Sequence, residues 1–214
     1  MDWQQIITLF VALIISLTVH EAAHGLFAHL GGDSTAKNAG LVTLNPLPHM
    51  RREPMGMVFV PLLVLYLSKG SMCFGGASAP IDAYWAARHP KKAALMSAAG
   101  PLANVLLATI GFFVMHLIAR PETNMQGAAF DIAHVFFLLN LLLAIFNLIP
   151  LPPFDGAGIV GGLIPKTQRL YDSYQRIPLY FILSMVVGWT LLDYLFWPAY
   201  SAITDLLSYP PRFR

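Results

Sequence analysis

The feature that most constrains this chain is the run Trp3–Ser16, "WQQIITLFVALIIS", which leads straight into Leu17–Gly25, "LTVHEAAHG". The run is long and apolar enough for lipid, yet it ends in two histidines and a glutamate. Ionisable groups at membrane depth are costly, and they mark a functional site by default. Four further apolar segments follow: residues 55–67, 93–118, 130–150 and 177 to about 200. A spanning helix needs about 20 apolar residues, whereas runs of 10–14 are more often re-entrant or interfacial. The segment 55–67 is therefore expected to fall short of a crossing. With 57% hydrophobic and only 11% charged residues, the chain departs from the roughly 25% charged content of soluble domains. The expected fold is an all-α polytopic membrane protein forming a single unit over 1–214. It has about four full transmembrane helices, a short re-entrant segment, and a small β-hairpin near the active site, drawn from the weak alternation of "AGLVTLN".

The small net charge of +2 gives no case for nucleic acid as a partner, and the lone Cys73 excludes an internal disulfide. "MDWQQ" lacks the basic start of a signal peptide, so the first apolar run is read as a retained helix.

His20-Glu21-Ala22-Ala23-His24 fits H-E-x-x-H. Residues four apart share a helix face, so both imidazoles can reach one ion. Glu21, one residue along, can approach a water at that ion and act as general base. Zinc accepts imidazole and carboxylate donors in tetrahedral geometry, and a catalytic zinc has three protein ligands and one open position. The metzincin spacing would put the third ligand at position 30, which is Leu30. His49, His116 and His134 are weaker candidates. Asp155, in "FNLIPLPPFDGAG", is the better one. Pro150, Pro152 and Pro153 end the preceding helix, and irregular backbone at membrane depth is tolerated only where protein buries it or it lines a cavity. Gly156 is expected to allow a sharp turn after the carboxylate. Taken alone, the same "P-F-D-G" also suits a solvated turn. Asn147, a neutral amide in an apolar segment, needs a partner. A developing oxyanion and an interhelical hydrogen bond are the two readings.

In their order along the chain, "HEAAH", "TLNPLPH", "AGPLAN" and "FNLIPLPPFDG" resemble the site-2 protease family of intramembrane zinc metalloproteases, in its short prokaryotic form without PDZ or CBS modules. The resemblance runs from about Leu9 to Val160. It implies His20, His24 and Asp155 as ligands of one zinc per chain, and Glu21 as the catalytic glutamate. It also implies Asn147 as a substrate- or oxyanion-binding residue, with Asn104 supporting the site. Ala157 stands where the family often has a second glycine. The implied activity is hydrolysis of a peptide bond within or near the transmembrane segment of a membrane-protein substrate. The alternatives are a membrane metal-binding or transport protein and a catalytically silent scaffold of the same fold.

The ligand set dictates the threading. His20 and Asp155 must lie at one depth, so the first and fourth segments must run in the same direction, and residues 55–67, with the Gly-rich stretch after them, are expected to go in and come back out or otherwise to make no net crossing. Lys37, Arg51, Arg52, Lys69, Arg88, Lys91 and Lys92 then share a side with Lys166, Arg169 and Arg176. Asp2, Arg120, Glu122, Arg212 and Arg214 fall on the other. The Lys/Arg-rich face is expected to be cytoplasmic, in a multi-pass protein of a prokaryotic cytoplasmic membrane whose active site lies towards the cytoplasm.

Overall fold

A computed structural model describes residues 3–118, 123–175 and 177–206. Asp2, Arg120, Glu122, Arg176, Arg212 and Arg214, used above in weighing the two faces, lie outside the described residues. The elements are α1 (Trp3–Gly31), α2 (Thr35–Asn38), α3 (Pro46–Arg52), a π turn (Met55–Phe59) continuing into α4 (Val60–Leu67), α5 (Ala83–Arg88), α6 (Pro90–Leu117), α7 (Asn124–Asn147), α8 (Asp155–Leu163), α9 (Pro165–Gln175) and α10 (Pro178–Leu206). Four helices, α1, α6, α7 and α10, are long and apolar enough to cross a membrane.

α6 is central and packs on α1, α7 and α8. Small residues let it do so. A Cβ at Gly111 would lie 2.9 Å from the Ala133 carbonyl and 2.9 Å from the Phe137 nitrogen of α7, a close approach of backbones typical of membrane helix interfaces. Buried Phe112, Phe137, Phe146 and Phe154 fill the layer between α6, α7 and α10. Leu13 and Leu17 of α1 pack against Leu139 and Leu143 of α7.

These contacts fix direction. Residues advance together along α1 and α7, so the two helices run parallel. α6 opposes them, because His20 meets Asn104 while His24 meets Met96 further back along α6. α10 also opposes α7: Gly188 sits against Phe146, and Tyr200 against Phe137. The parallel course of α1 and α7 is the one the ligand set demanded.

The segment between α1 and α6 makes no net traverse of the bundle. It leaves the site end at Glu53, descends as the π turn and α4, and turns at Lys69–Gly70, where both residues have positive φ (54° and 85°). There Gly70 sits against Ile6, near the start of α1. The chain then returns in extended form to the site end. The two limbs are tied at the top. In the π turn the Val60 N–H reaches the Met55 carbonyl. The next donor in that register would be Pro61, which has no N–H. The Gly56 carbonyl is thus left to accept from the Gly76 N–H at 3.1 Å, and Ser78 Oγ donates to Glu53 Oε1 at 2.9 Å. Lys69 therefore sits at the tip, at the end opposite the site, and not with Lys37 and Arg51 as expected.

The expected β-hairpin is not formed: no strand occurs among the described residues. Residues 39–45, "AGLVTLN", bend between α2 and α3 instead. Their hydrogen bonds are local. The Leu41 N–H donates to the Ala36 carbonyl, Asn45 caps α3 through Leu47 N–H, and His49 Nε2–H donates to the Thr43 carbonyl. These local bonds take the groups a ladder would have used.

Candidate metal and active site

The site forms where α1, α6 and α8 meet. His20, Glu21 and His24 occupy one buried stretch of α1, each at most 6% exposed. One ligand atom from each lies within 4.8 Å of the others. Asp155 opens α8, and its Oδ2 and Oδ1 lie 3.1 Å from His20 Nε2 and 3.3 Å from His24 Nε2. The chain reaches this position because the prolines at 150, 152 and 153 deny the segment after α7 a further helical turn. Tyr171 of α9 pins it by donating to the Pro150 carbonyl at 2.9 Å. Gly156 serves a different purpose from the expected turn. It is helical, and a side chain there would run into the Leu148 and Ile149 carbonyls.

The donor geometry fits a metal. His24 Nδ1 lies 2.7 Å from the Met96 carbonyl, which can only accept, so Nδ1 carries the proton. His20 Nδ1 faces Asn104 Oδ1 at 2.5 Å. Both neutral rings then turn an Nε2 lone pair inward, and these two nitrogens are 2.9 Å apart with the Asp155 carboxylate beside them. With both rings neutral, as metal binding requires, three electron-rich groups converge on one point, an arrangement suited to a cation. Two imidazole nitrogens and a carboxylate oxygen are a zinc donor set. Gly100 of α6 keeps the space open, since a Cβ there would strike both Nε2 atoms.

Glu21 Oε2 is buried and accepts no hydrogen bond among the described residues. It faces a cavity of about 290 Å³ whose lining includes Ser78, Ser97, Asn147, Asp155, Gln168 and Tyr171. An adjoining cavity of about 540 Å³ shares His20, Glu21 and Asn147 but is otherwise mostly apolar, with Val60, Phe146 and Met185 in its wall. Asn147 gives one amide N–H to the Leu143 carbonyl at 3.0 Å. The extended limb borders both cavities through Ala77 and Ser78, and residues 77–79 make no backbone hydrogen bond among the described residues.

The structure thus brings together His20, Glu21, His24 and Asp155, with Asn147 on the cavity wall. The remaining histidines stand apart. His116 stacks on Phe112 and His134 on Phe130. His49 is buried on α3, bonded to the Thr43 carbonyl and close enough to Glu21 to interact electrostatically. Sequence reasoning missed Asn140 and Ser16. Asn104 Nδ2 donates to Asn140 Oδ1 at 2.8 Å, and Asn140 Nδ2 donates to Ser16 Oγ and to the Phe136 carbonyl, each at 2.9 Å. A signal was present in each case. Ser16 stands four residues before His20, and Asn140 seven before Asn147, each on the face of its known partner.

Comparison with known proteins places the chain among characterised families. The family model described as Peptidase family M50 matches residues 115–188, the part that holds Asn147 and Asp155. The chain is similar to "Putative zinc metalloprotease YwhC" of Bacillus subtilis, at 36% identity over 92% of this chain and 87% of that one. It is also similar to the proteins of the same description named Rip2. The one from Mycolicibacterium smegmatis is 30% identical over 73% of this chain and 57% of its own length. The one from Mycobacterium tuberculosis H37Rv is 29% identical over 87% and 69%. No solved structure matches the chain.

Proposed function

Because this chain belongs to peptidase family M50, the site-2 proteases, and is a zinc metalloendopeptidase built as a multi-pass membrane protein, we propose that it cuts a peptide bond within or near the transmembrane segment of a membrane-protein substrate. The convergence of His20 Nε2, His24 Nε2 and the Asp155 carboxylate at one buried point carries the reading. In it these three residues hold the single zinc. When bound, zinc polarises the scissile carbonyl and renders a water nucleophilic near neutral pH. Glu21 takes the proton from that water at Oε2 and delivers it to the leaving amine nitrogen. Asn147 keeps one N–H on Leu143 and turns the other to the oxyanion.

A transmembrane helix hides its carbonyls in its own hydrogen bonds, so the substrate must unwind before it is cut. The open backbone edge at residues 77–79 is suited to hold the unwound stretch as an added strand. The bent 39–45 stretch, by contrast, has polar groups engaged locally. The descending and returning limbs over 55–82 act as a re-entrant element within one membrane-embedded domain, 1–214. Lys37, Arg51, Arg52, Arg88, Lys91, Lys92 and Lys166 stay at the site end, which supports a cytoplasmic active site in a prokaryotic cell membrane.

The test compares wild type with Glu21→Gln and His20→Ala on single-span substrates in detergent, with metal analysis of each protein. Glu21→Gln should keep zinc and lose cleavage; His20→Ala should lose both. Cleavage that survives Glu21→Gln would sink the base assignment.

A further inference from the structure

We propose that Asn140 is a positioning residue for the metal site, fixing which nitrogen of His20 is free to bind zinc. The inference rests on the reading of His20 as a ligand.

The argument starts at a group whose polarity is not in question. The Phe136 carbonyl can only accept, and the Asn140 side chain meets it at 2.9 Å, so the atom there must be Nδ2. The other Nδ2 proton goes to Ser16 Oγ. Asn140 Oδ1 is then the atom facing Asn104, and it can only accept, so the atom of Asn104 opposite it must be Nδ2. That leaves Asn104 Oδ1 against His20 Nδ1, which must therefore carry the ring proton. The lone pair falls on Nε2, facing His24 and Asp155.

Each step removes a choice that an isolated amide or imidazole would keep, since a flipped Asn104 would offer N–H to His20 and put the lone pair on the wrong nitrogen. Asn104, Asn140 and Ser16 are fully buried, so water cannot supply an alternative partner. His24 reaches the same end in one step, through the Met96 carbonyl. His20 has no carbonyl partner of its own, and the two asparagines carry the polarity of one across from α7. Ser16 can accept from Asn140, but its hydroxyl can also donate, so it does not set the direction.

Zinc affinity of the detergent-purified holoenzyme, measured by transfer to a chelator, tests this together with the ¹⁵N side-chain shifts of the zinc-free, histidine-labelled protein at a pH high enough to leave both rings neutral. Asn140→Leu should weaken zinc binding by about 10- to 100-fold, the usual cost of losing an outer-shell partner. It should also give a mixed His20 tautomer where wild type shows Nδ1–H. Ser16→Ala should stay within about threefold of wild type.

The proposal is overturned if folded Asn140→Leu binds zinc like wild type. Wild-type His20 found in the Nε2–H form overturns it as well. The wild-type tautomer measurement needs no variant and decides the matter if Asn140→Leu does not fold. His20→Ala separates the premises: unchanged zinc affinity there removes the ligand assignment and this proposal together, while a loss there with none in Asn140→Leu removes only this proposal.

Discussion

At the scale of single residues, the site depends on side chains whose freedom has been taken away before substrate arrives. Glu21 keeps an unpartnered Oε2 beside the cluster, and Asn147 is held by the Leu143 carbonyl with one N–H to spare. Replacing Asn147 with Leu, of similar volume, should lower kcat by about 10²–10³-fold, as loss of an oxyanion donor does elsewhere. KM should move much less; a change confined to KM in steady-state cleavage would make Asn147 a binding residue only. The candidate ligands were legible in the sequence because H-E-x-x-H states its own geometry and because Asp155 follows a run of prolines that cannot stay helical. Asn140 was legible only as a position, seven residues before Asn147 on one helix face; its role lies in a carbonyl, Phe136 O, that no side-chain pattern encodes.

At the scale of elements, helices were legible and the connection between α1 and α6 only partly so. Length and hydropathy gave α1, α6, α7 and α10, and the parity of crossings required residues 55–67 to return. Strand character in 39–45 was a weak alternation, and capping by Asn45 and turn bonds from Leu41 overrode it. The depth of the re-entrant limbs was missed for a simple reason: Lys69 was counted with its neighbours in sequence, whereas the tip carries it to the level of Ile6. In right-side-out and inverted vesicles, cysteine at Lys69 should react with an impermeant maleimide from the face opposite to cysteine at Lys37. Labelling of both from one face would mean the limbs turn short. The return limb is anchored by Asp33, whose Oδ2 accepts from the Asp82 N–H at 2.8 Å and whose Oδ1 accepts from the Thr35 N–H at 2.8 Å and the Thr35 hydroxyl at 2.5 Å. Burial would raise this carboxyl's pKa, but the Thr35 hydroxyl and the two N–H groups outweigh it and hold it below the usual value. A depressed folded pKa means stability that is present above the unfolded value of about 4 and is lost as pH falls through the folded one. Asp33→Asn should therefore be less stable than wild type at neutral pH, and the gap in thermal midpoint should narrow towards pH 3. A gap independent of pH would show that the charge of Asp33 is irrelevant.

At the scale of the whole molecule, a metal held as proposed would tie distant parts of the chain, α1 and α8, with α6 between them. Chelating zinc should lower the thermal midpoint, by an amount corresponding to about 3–4 kcal/mol when free zinc stands at 100–1,000 times Kd. Asp155→Asn should abolish most of that zinc-dependent increment without altering the metal-free midpoint much. An increment of full size in Asp155→Asn would place the third ligand elsewhere. The separation of the ligands along the chain also bears on how the protein is made. His20 and His24 leave the ribosome early and enter the membrane with α1, but Asp155 follows only after α6 and α7. At about 5–20 residues per second the interval is roughly 10 s. On the proposed reading, the nascent chain until then holds two histidines and a glutamate but no complete zinc site, and activity would begin only once α8 has joined the bundle.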